Sequence, residues 1–195
     1  MPSSSVTARP IAAPRAQTRV RSVAAVLGFT AALAAAGQLR IPLPFTPVPA
    51  TLQTFVLFLG AAVLGSARGA AGTTLLLALG GAGLPVFGGG GAGLAHAFGP
   101  TGGYLLAWIP AAALVGRLSD ARPRVLAAGM ALASAGVLLA GSLWFAALAR
   151  MSFSDSLLVN ALPFLPGDAI KIGAAVLGAS ALRAPVSRWL TPNRD

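Results

Sequence analysis

The stretch from Pro163 to Leu182, PFLPGDAIKIGAAVLGASAL, sets one aspartate and one lysine three positions apart in an otherwise uncharged apolar run. On a helix of a soluble protein such a run would be the buried stripe opposite a polar face, and no polar face is present. The rest of the chain has the same character. Hydrophobic residues make up 56% of the 195 residues and charged residues only 9%, with a mean hydropathy of +0.80, which leaves too little polar material to clothe a water-facing globule. The chain therefore reads as an all-α integral membrane protein. In that setting a charged side chain costs about 2.5 to 3.5 kcal/mol even on the lenient insertion scale, so Asp168 and Lys171 need a partner or a function.

Apolar runs that reach, or nearly reach, the length needed to cross a bilayer fall at about 22–39, 50–65, 69–84, 102–116, 125–149 and 157–182. The short central runs are rich in Gly and Ala, which permits close helix contact, with tilt making up for length. Arginines occupy the gaps. With the N-terminus inside, Arg9, Arg15, Arg19, Arg21, Arg68, Arg117, Arg122, Arg124, Arg183, Arg188 and Arg194 face the cytoplasm, against Arg40 and Arg150 outside. The expected topology is six transmembrane helices with both termini cytoplasmic, multi-pass in a bacterial-type cytoplasmic membrane. Residues 1–21 form a disordered basic tail, 22–183 the six-helix domain and 184–195 a short cytoplasmic tail. The basic start and the small residues Ala34-Ala35-Ala36 also resemble a cleavable secretory signal, but removing that span would leave the basic tail without a role in orientation.

Composition excludes several functions. The net charge of +10 is interleaved with hydrophobic spans and forms no basic groove, so nucleic acid is not expected. There is no cysteine and a single histidine, His96, so no disulfide framework or His-rich metal site is available. The glycine run Gly88 to Gly91 is not followed by Gly-Lys-Ser/Thr, so no nucleotide site is expected, and no nucleophile, base and orienting group can be assembled. The chain is not expected to be an enzyme or to hold a cofactor.

Three connections on the outer side carry unusual residues. Ile41 to Pro49 has a proline at nearly every second position and must run extended, as a semi-rigid apolar flap. Gly80 to Tyr104 is glycine-rich backbone, free to take positive φ and to approach a ligand closely. Pro163 to Asp168 interrupts the last helix and sets Lys171 one turn beyond Asp168 on the same face. Asp168 there either caps the restarted helix or faces a cavity. Tyr104 either sits in an interfacial belt or lines that cavity. In the first helix Ala31 with Ala35, and Ala32 with Ala36, give a smooth face for packing within the chain or docking against a membrane partner.

Taken in order, the proline-rich Ile41 to Pro49 with Thr51-Leu52-Gln53, the Gly83-Leu84-Pro85-Val86-Phe87 turn, the Gly99 to Tyr104 string, and Pro163-Phe164 through Asp168 and Lys171 resemble the BioY family. These are the biotin-binding substrate-capture (S) components of energy-coupling factor transporters. The resemblance implies a pocket open to the outer face and biotin uptake, with a transmembrane coupling (T) protein and a pair of ATPases as partners. It implies Asp168, Lys171, Tyr104, Gln53, Thr101, Gly102, Gly103, Phe45 and Thr46 as substrate-binding residues, with the flap around Phe45 and Thr46 closing over the ligand. Relatives commonly carry a polar or basic residue in the glycine-rich loop, where this chain reads Gly88-Gly89-Gly90-Gly91-Ala92-Gly93. A different vitamin, or a ligand-free scaffold role, are the alternative readings.

Overall fold

A computed structural model describes residues 15–44 and 46–191; Phe45 lies outside the described residues, as do 1–14 and 192–195 of the expected tails. The elements in chain order are α1 (Arg15–Gln38), the strands β1 (Arg40–Leu43) and β2 (Thr46–Thr51), α2 (Gln53–Leu64), α3 (Ser66–Gly81), α4 (Gly93–Ala97), α5 (Gly102–Arg117), α6 (Pro123–Ala149), α7 (Phe153–Asn160) and α8 (Leu165–Leu190). Short 3-10 turns lie at Gly88–Gly90 and Leu162–Phe164.

The chain is mainly helical, but it is not all-α. The proline-rich flap runs extended as expected, and its two arms pair as an antiparallel hairpin, with Arg40 opposite Thr51, Ile41 opposite Ala50 and Leu43 opposite Thr46. Proline lacks a ladder donor and is tolerated in such a ribbon because each strand is an edge. Two helix boundaries also differ from expectation. Helix α1 begins at Arg15, inside the expected irregular tail, because Arg, Gln and Ala are strong helix formers. The run expected as one helix over 157–182 is split: α7 ends at Asn160, the turn carrying Pro163 intervenes, and α8 runs from Leu165 past Pro185 to Leu190.

Three helical stretches, Gln17–Gln38, Pro123–Ala149 and Phe153–Leu190, are long and apolar enough to cross a membrane, and Gln53–Leu64 is a shorter apolar helix. Large apolar side chains point outward, among them Leu132, Leu143, Ile170 and Leu177, the last two each 74% exposed. A surface of that kind suits hydrocarbon rather than water.

Helix α5 packs against α2, α3 and α6, while α8 lies against α2 and α6, and α1 against α2 and α3. The contacts run through small residues. Gly69 meets Ala61, Gly116 meets the backbone at Gly65–Ser66, Gly141 lies under the Tyr104 ring, and Gly103 lies under Trp144. Thr30 reaches across from α1 to the Gly72 carbonyl at 3.0 Å, adding a polar tether between helices. The core is filled by Leu33, Leu57, Phe58, Leu76, Val115, Leu126 and Met130, all essentially inaccessible.

Hydrogen bonds also define the two ends of the bundle. At one end Arg21 of α1 donates to the Trp189 carbonyl of α8, Arg68 at the α2–α3 junction donates to Ser22, and Arg183 donates to the Ala121 carbonyl at the α5–α6 junction. The hairpin, the glycine-rich loop and α7 belong to the opposite ends of those same helices.

A methyl group at Gly116 would lie 2.6 Å from the Gly65 carbonyl carbon, against backbone that cannot yield cheaply, whereas one at Gly136 would meet nothing within 4 Å. Gly116→Ala should lower stability in detergent by about 1 to 3 kcal/mol, read as a lower Tm, while Gly136→Ala leaves it unchanged or slightly raised.

Candidate ligand-binding site

At the hairpin end the bundle encloses a cavity of about 470 Å³, within the range of roughly 300 to 1,000 Å³ for small-molecule sites. The hairpin contributes Thr46 and Val48, α2 contributes Gln53, Thr54 and Phe58, α5 contributes Tyr104, Leu105 and Trp108, α6 contributes Ser134, Val137 and Leu138, and α8 contributes Asp168 and Lys171. Arg40, Thr51, His96 and Thr101 complete the polar lining. Six of the nine expected site residues, Asp168, Lys171, Tyr104, Gln53, Thr101 and Thr46, therefore meet around one cavity. They come from the hairpin, the turn before α5, and three helices distant in sequence.

Asp168 does not cap α8. It lies inside the first turn, and Pro166 ahead of it occupies a position that needs no amide hydrogen. Its Oδ2 accepts a hydrogen bond from Ser134 Oγ at 2.5 Å, and its Oδ1 lies 3.4 Å from Lys171 Nζ. Lys171 Nζ also donates to Thr54 Oγ1 at 3.0 Å. The ion pair thus ties α8 to α6 through Ser134 and to α2 through Thr54. A lysine has three hydrogens to donate and a carboxylate about four lone-pair sites, so both groups keep unused capacity. The carboxylate is 9% exposed and the ammonium-bearing chain 17%, in a low-dielectric setting where such bonds are stronger than in water.

Tyr104 is buried rather than placed in an interfacial belt, and its hydroxyl donates to the Asn160 carbonyl at 2.7 Å. Gln53 is also buried, and one of its amide hydrogens is committed to the Leu33 carbonyl at 3.2 Å, tying α2 to α1. Gly102 and Gly103 do not line the cavity. A methyl on Gly102 would lie 2.6 Å from the Ala97 carbonyl and one on Gly103 2.7 Å from the Ala140 carbonyl, so their smallness serves helix contact. Of the alanines on α1, Ala31, Ala32 and Ala35 are exposed, but Ala36 is buried, so only the first pair stands as an open small-residue face.

Ser134, Thr54 and Asn160 went unread in the sequence, and Trp108, expected in an interfacial belt or in packing, lines the cavity. A serine or threonine inside an apolar helix has no signature of its own when so many bond their own backbone, as Thr73 does to the Gly69 carbonyl. The glycine-rich loop does take positive φ, at Gly83, Gly89, Gly90 and Gly93. Its lack of side chains leaves room for two others: Arg40 lies over Gly89 and the His96 ring over Gly91.

His96 sits in α4, between the expected spans, stacked on Phe87 with ring centroids 5.3 Å apart and planes 11° from parallel. Burial disfavours its charged form and lowers its pKa from 6.5. The folded state then binds fewer protons than the unfolded one, so the contribution of His96 to stability is full above about pH 6.5 and is lost as the pH falls through its depressed folded value. Because the chain has a single histidine, imidazole NMR of the labelled protein reads this directly, and the midpoint should fall below that of a model peptide.

Comparison with known proteins gives a consistent result. The model of the BioY family matches residues 8–188. A probable biotin transporter BioY from Pyrococcus horikoshii is 33% identical over 165 residues, covering 85% of this chain and 98% of the relative. A biotin transporter BioY from Rhodobacter capsulatus is 38% identical over 167 residues, covering 78% and 87%. The crystal structure of the S-component for biotin from an ECF-type ABC transporter superposes with a TM-score of 0.80 at 30% identity, covering 90% of this chain and 95% of that one. On the family match across nearly its whole length, the chain belongs to the BioY family.

Proposed function

We propose that the chain is the biotin-capturing S component of an energy-coupling factor transporter, working with a transmembrane coupling protein and a pair of ATPases. It is a transporter component and not an enzyme. The observation that carries the reading is the half-satisfied pair of Asp168 and Lys171 at the wall of a mostly apolar cavity. The cyclic urea of biotin offers a carbonyl acceptor and two N–H donors, which matches a lysine with hydrogen to give and a carboxylate with lone pairs to accept. Phe58, Leu105, Trp108, Val137 and Leu138 supply apolar surface for the ring system, while Tyr104, Gln53, Thr101 and Thr46 border it.

Six helices, α1, α2, α3, α5, α6 and α8, span the cytoplasmic membrane, with both termini cytoplasmic and the cavity toward the outside. The arginine-rich end supports this orientation: Arg21, Arg68 and Arg183 make their contacts there, and Arg117, Arg122, Arg124 and Arg188 lie near it in sequence. At the far end the hairpin closes over the ligand. Ala31 and Ala35 offer a small-residue face on α1 for the coupling protein.

Purified protein in detergent should bind labelled biotin saturably, and excess unlabelled biotin should displace it while other vitamins do not. Asp168→Asn and Lys171→Ala each leave a charge without its partner and should weaken binding on the order of 100-fold, in protein whose Tm confirms folding. Unchanged affinity in both folded variants would remove these residues from the site, and no binding by folded wild type would reject biotin as the ligand.

A further inference from the structure

The hairpin forms one wall of the cavity, yet its attachment to the bundle is slight. Val48 is its buried apolar anchor. Beyond the local bonds of Thr51 to Gln53, its side-chain hydrogen bond to the bundle among the described residues comes from Thr46, whose hydroxyl donates to Asn160 Oδ1. The same hydroxyl oxygen accepts from the Val48 amide at 3.2 Å, which fixes the strand on either side of it. Asn160 is fully buried, and Thr46 is 8% exposed.

Asn160 is held from behind. Its Nδ2 donates to Ser156 Oγ at 3.3 Å, and Ser156 donates to the Ser142 carbonyl of α6 at 2.7 Å. Its own carbonyl accepts from the Tyr104 hydroxyl at 2.7 Å. A single residue at the end of α7, outside the cavity lining, thereby holds two lining residues from different elements, Thr46 through its side chain and Tyr104 through its backbone. The break between α7 and α8 creates this arrangement, since a continuous helix would commit that carbonyl to its own ladder.

We infer that Asn160 is the positioning residue of the ligand site, latching the hairpin through Thr46 so that ligand exit requires this hydrogen bond to break. The inference rests on the biotin reading for its effect on ligand release, but not for its effect on the hairpin. Asn160 touches no cavity surface, so its variants act on the ligand only through the walls it holds. Opening needs no charge separation, and the barrier to it is of the size of one buried neutral hydrogen bond and one apolar side chain.

The test is hydrogen exchange of the hairpin amides in the ligand-free protein, leaving aside Val48, whose own acceptor is the Thr46 hydroxyl, paired with the dissociation rate of labelled biotin. Thr46→Val is isosteric and keeps the packing. It and Asn160→Ala should each speed hairpin exchange by roughly 3- to 30-fold, the double variant should be no faster than either single one, and Thr46→Ser, which keeps the hydroxyl, should leave hairpin exchange at the wild-type rate. Asn160→Ala should raise the biotin dissociation rate by a similar factor with little change in the association rate. Unchanged hairpin exchange in both single variants, or effects that multiply in the double variant, would overturn the latch. Faster exchange in a protein that binds no biotin would uphold the latch and reject the ligand.

Discussion

The buried pair of Asp168 and Lys171 constrains this structure more than any other interaction. Removing both charges from water is costly, and a bare pair in the interior does not recover that cost. The chain meets the deficit with Ser134 of α6 and Thr54 of α2, each giving the pair a further hydrogen bond. Three helices distant in sequence are thereby held in one arrangement at the depth of the cavity. A structural pair needs only to be saturated, and this one is not: it retains donor and acceptor capacity beside an open, mostly apolar space. Unused hydrogen-bonding capacity in a desolvated setting is what a polar ligand head can exchange for its own water.

A cavity beside such a pair survives only if the helices around it are fixed by something other than cavity-filling side chains. Small residues do this. Gly69 against Ala61, Gly116 against the turn before α3, and Gly103 and Gly141 between α5 and α6 bring backbones together, where dispersion contact accumulates without large side chains. Bulk is then concentrated at Leu33, Phe58, Leu76 and Met130 in the core, and the hairpin end of the bundle is left hollow.

The membrane character, the mainly helical fold and the pairing of Asp168 with Lys171 were legible in the sequence because they follow from composition and spacing alone. The flap was legible as extended chain, since proline at alternate positions permits little else, but its pairing into a hairpin was not, because proline-rich segments carry a poor ladder signal. Asp168 after Pro-Gly could be read as a cap or as a cavity group, because the actual start at Leu165 depends on Pro163 and Pro166 being accommodated by a 3-10 turn and a first helical turn. Gly102 and Gly103 belonged to a recognisable string but serve packing, and a glycine's sequence context does not say which neighbour it accommodates. Ser134, Thr54 and Asn160 were invisible because their partners are remote in the chain: Asp168 lies 34 residues from Ser134, Lys171 117 from Thr54, and Thr46 114 from Asn160.

The two kinds of polar contact around the cavity differ in strength, and that difference separates what is rigid from what can move. Charged hydrogen bonds fix α2, α6 and α8, each worth about 1.5 to 3 kcal/mol net, and breaking them strands a charge. Neutral bonds fix the hairpin, at about 1 kcal/mol, and water can replace them once the ribbon lifts. Thermal opening therefore starts at the hairpin, while the groups that recognise the ligand stay in place. Lifting the hairpin breaks neutral bonds alone, whereas rearranging the helices around the charged pair strands a charge and is the larger change.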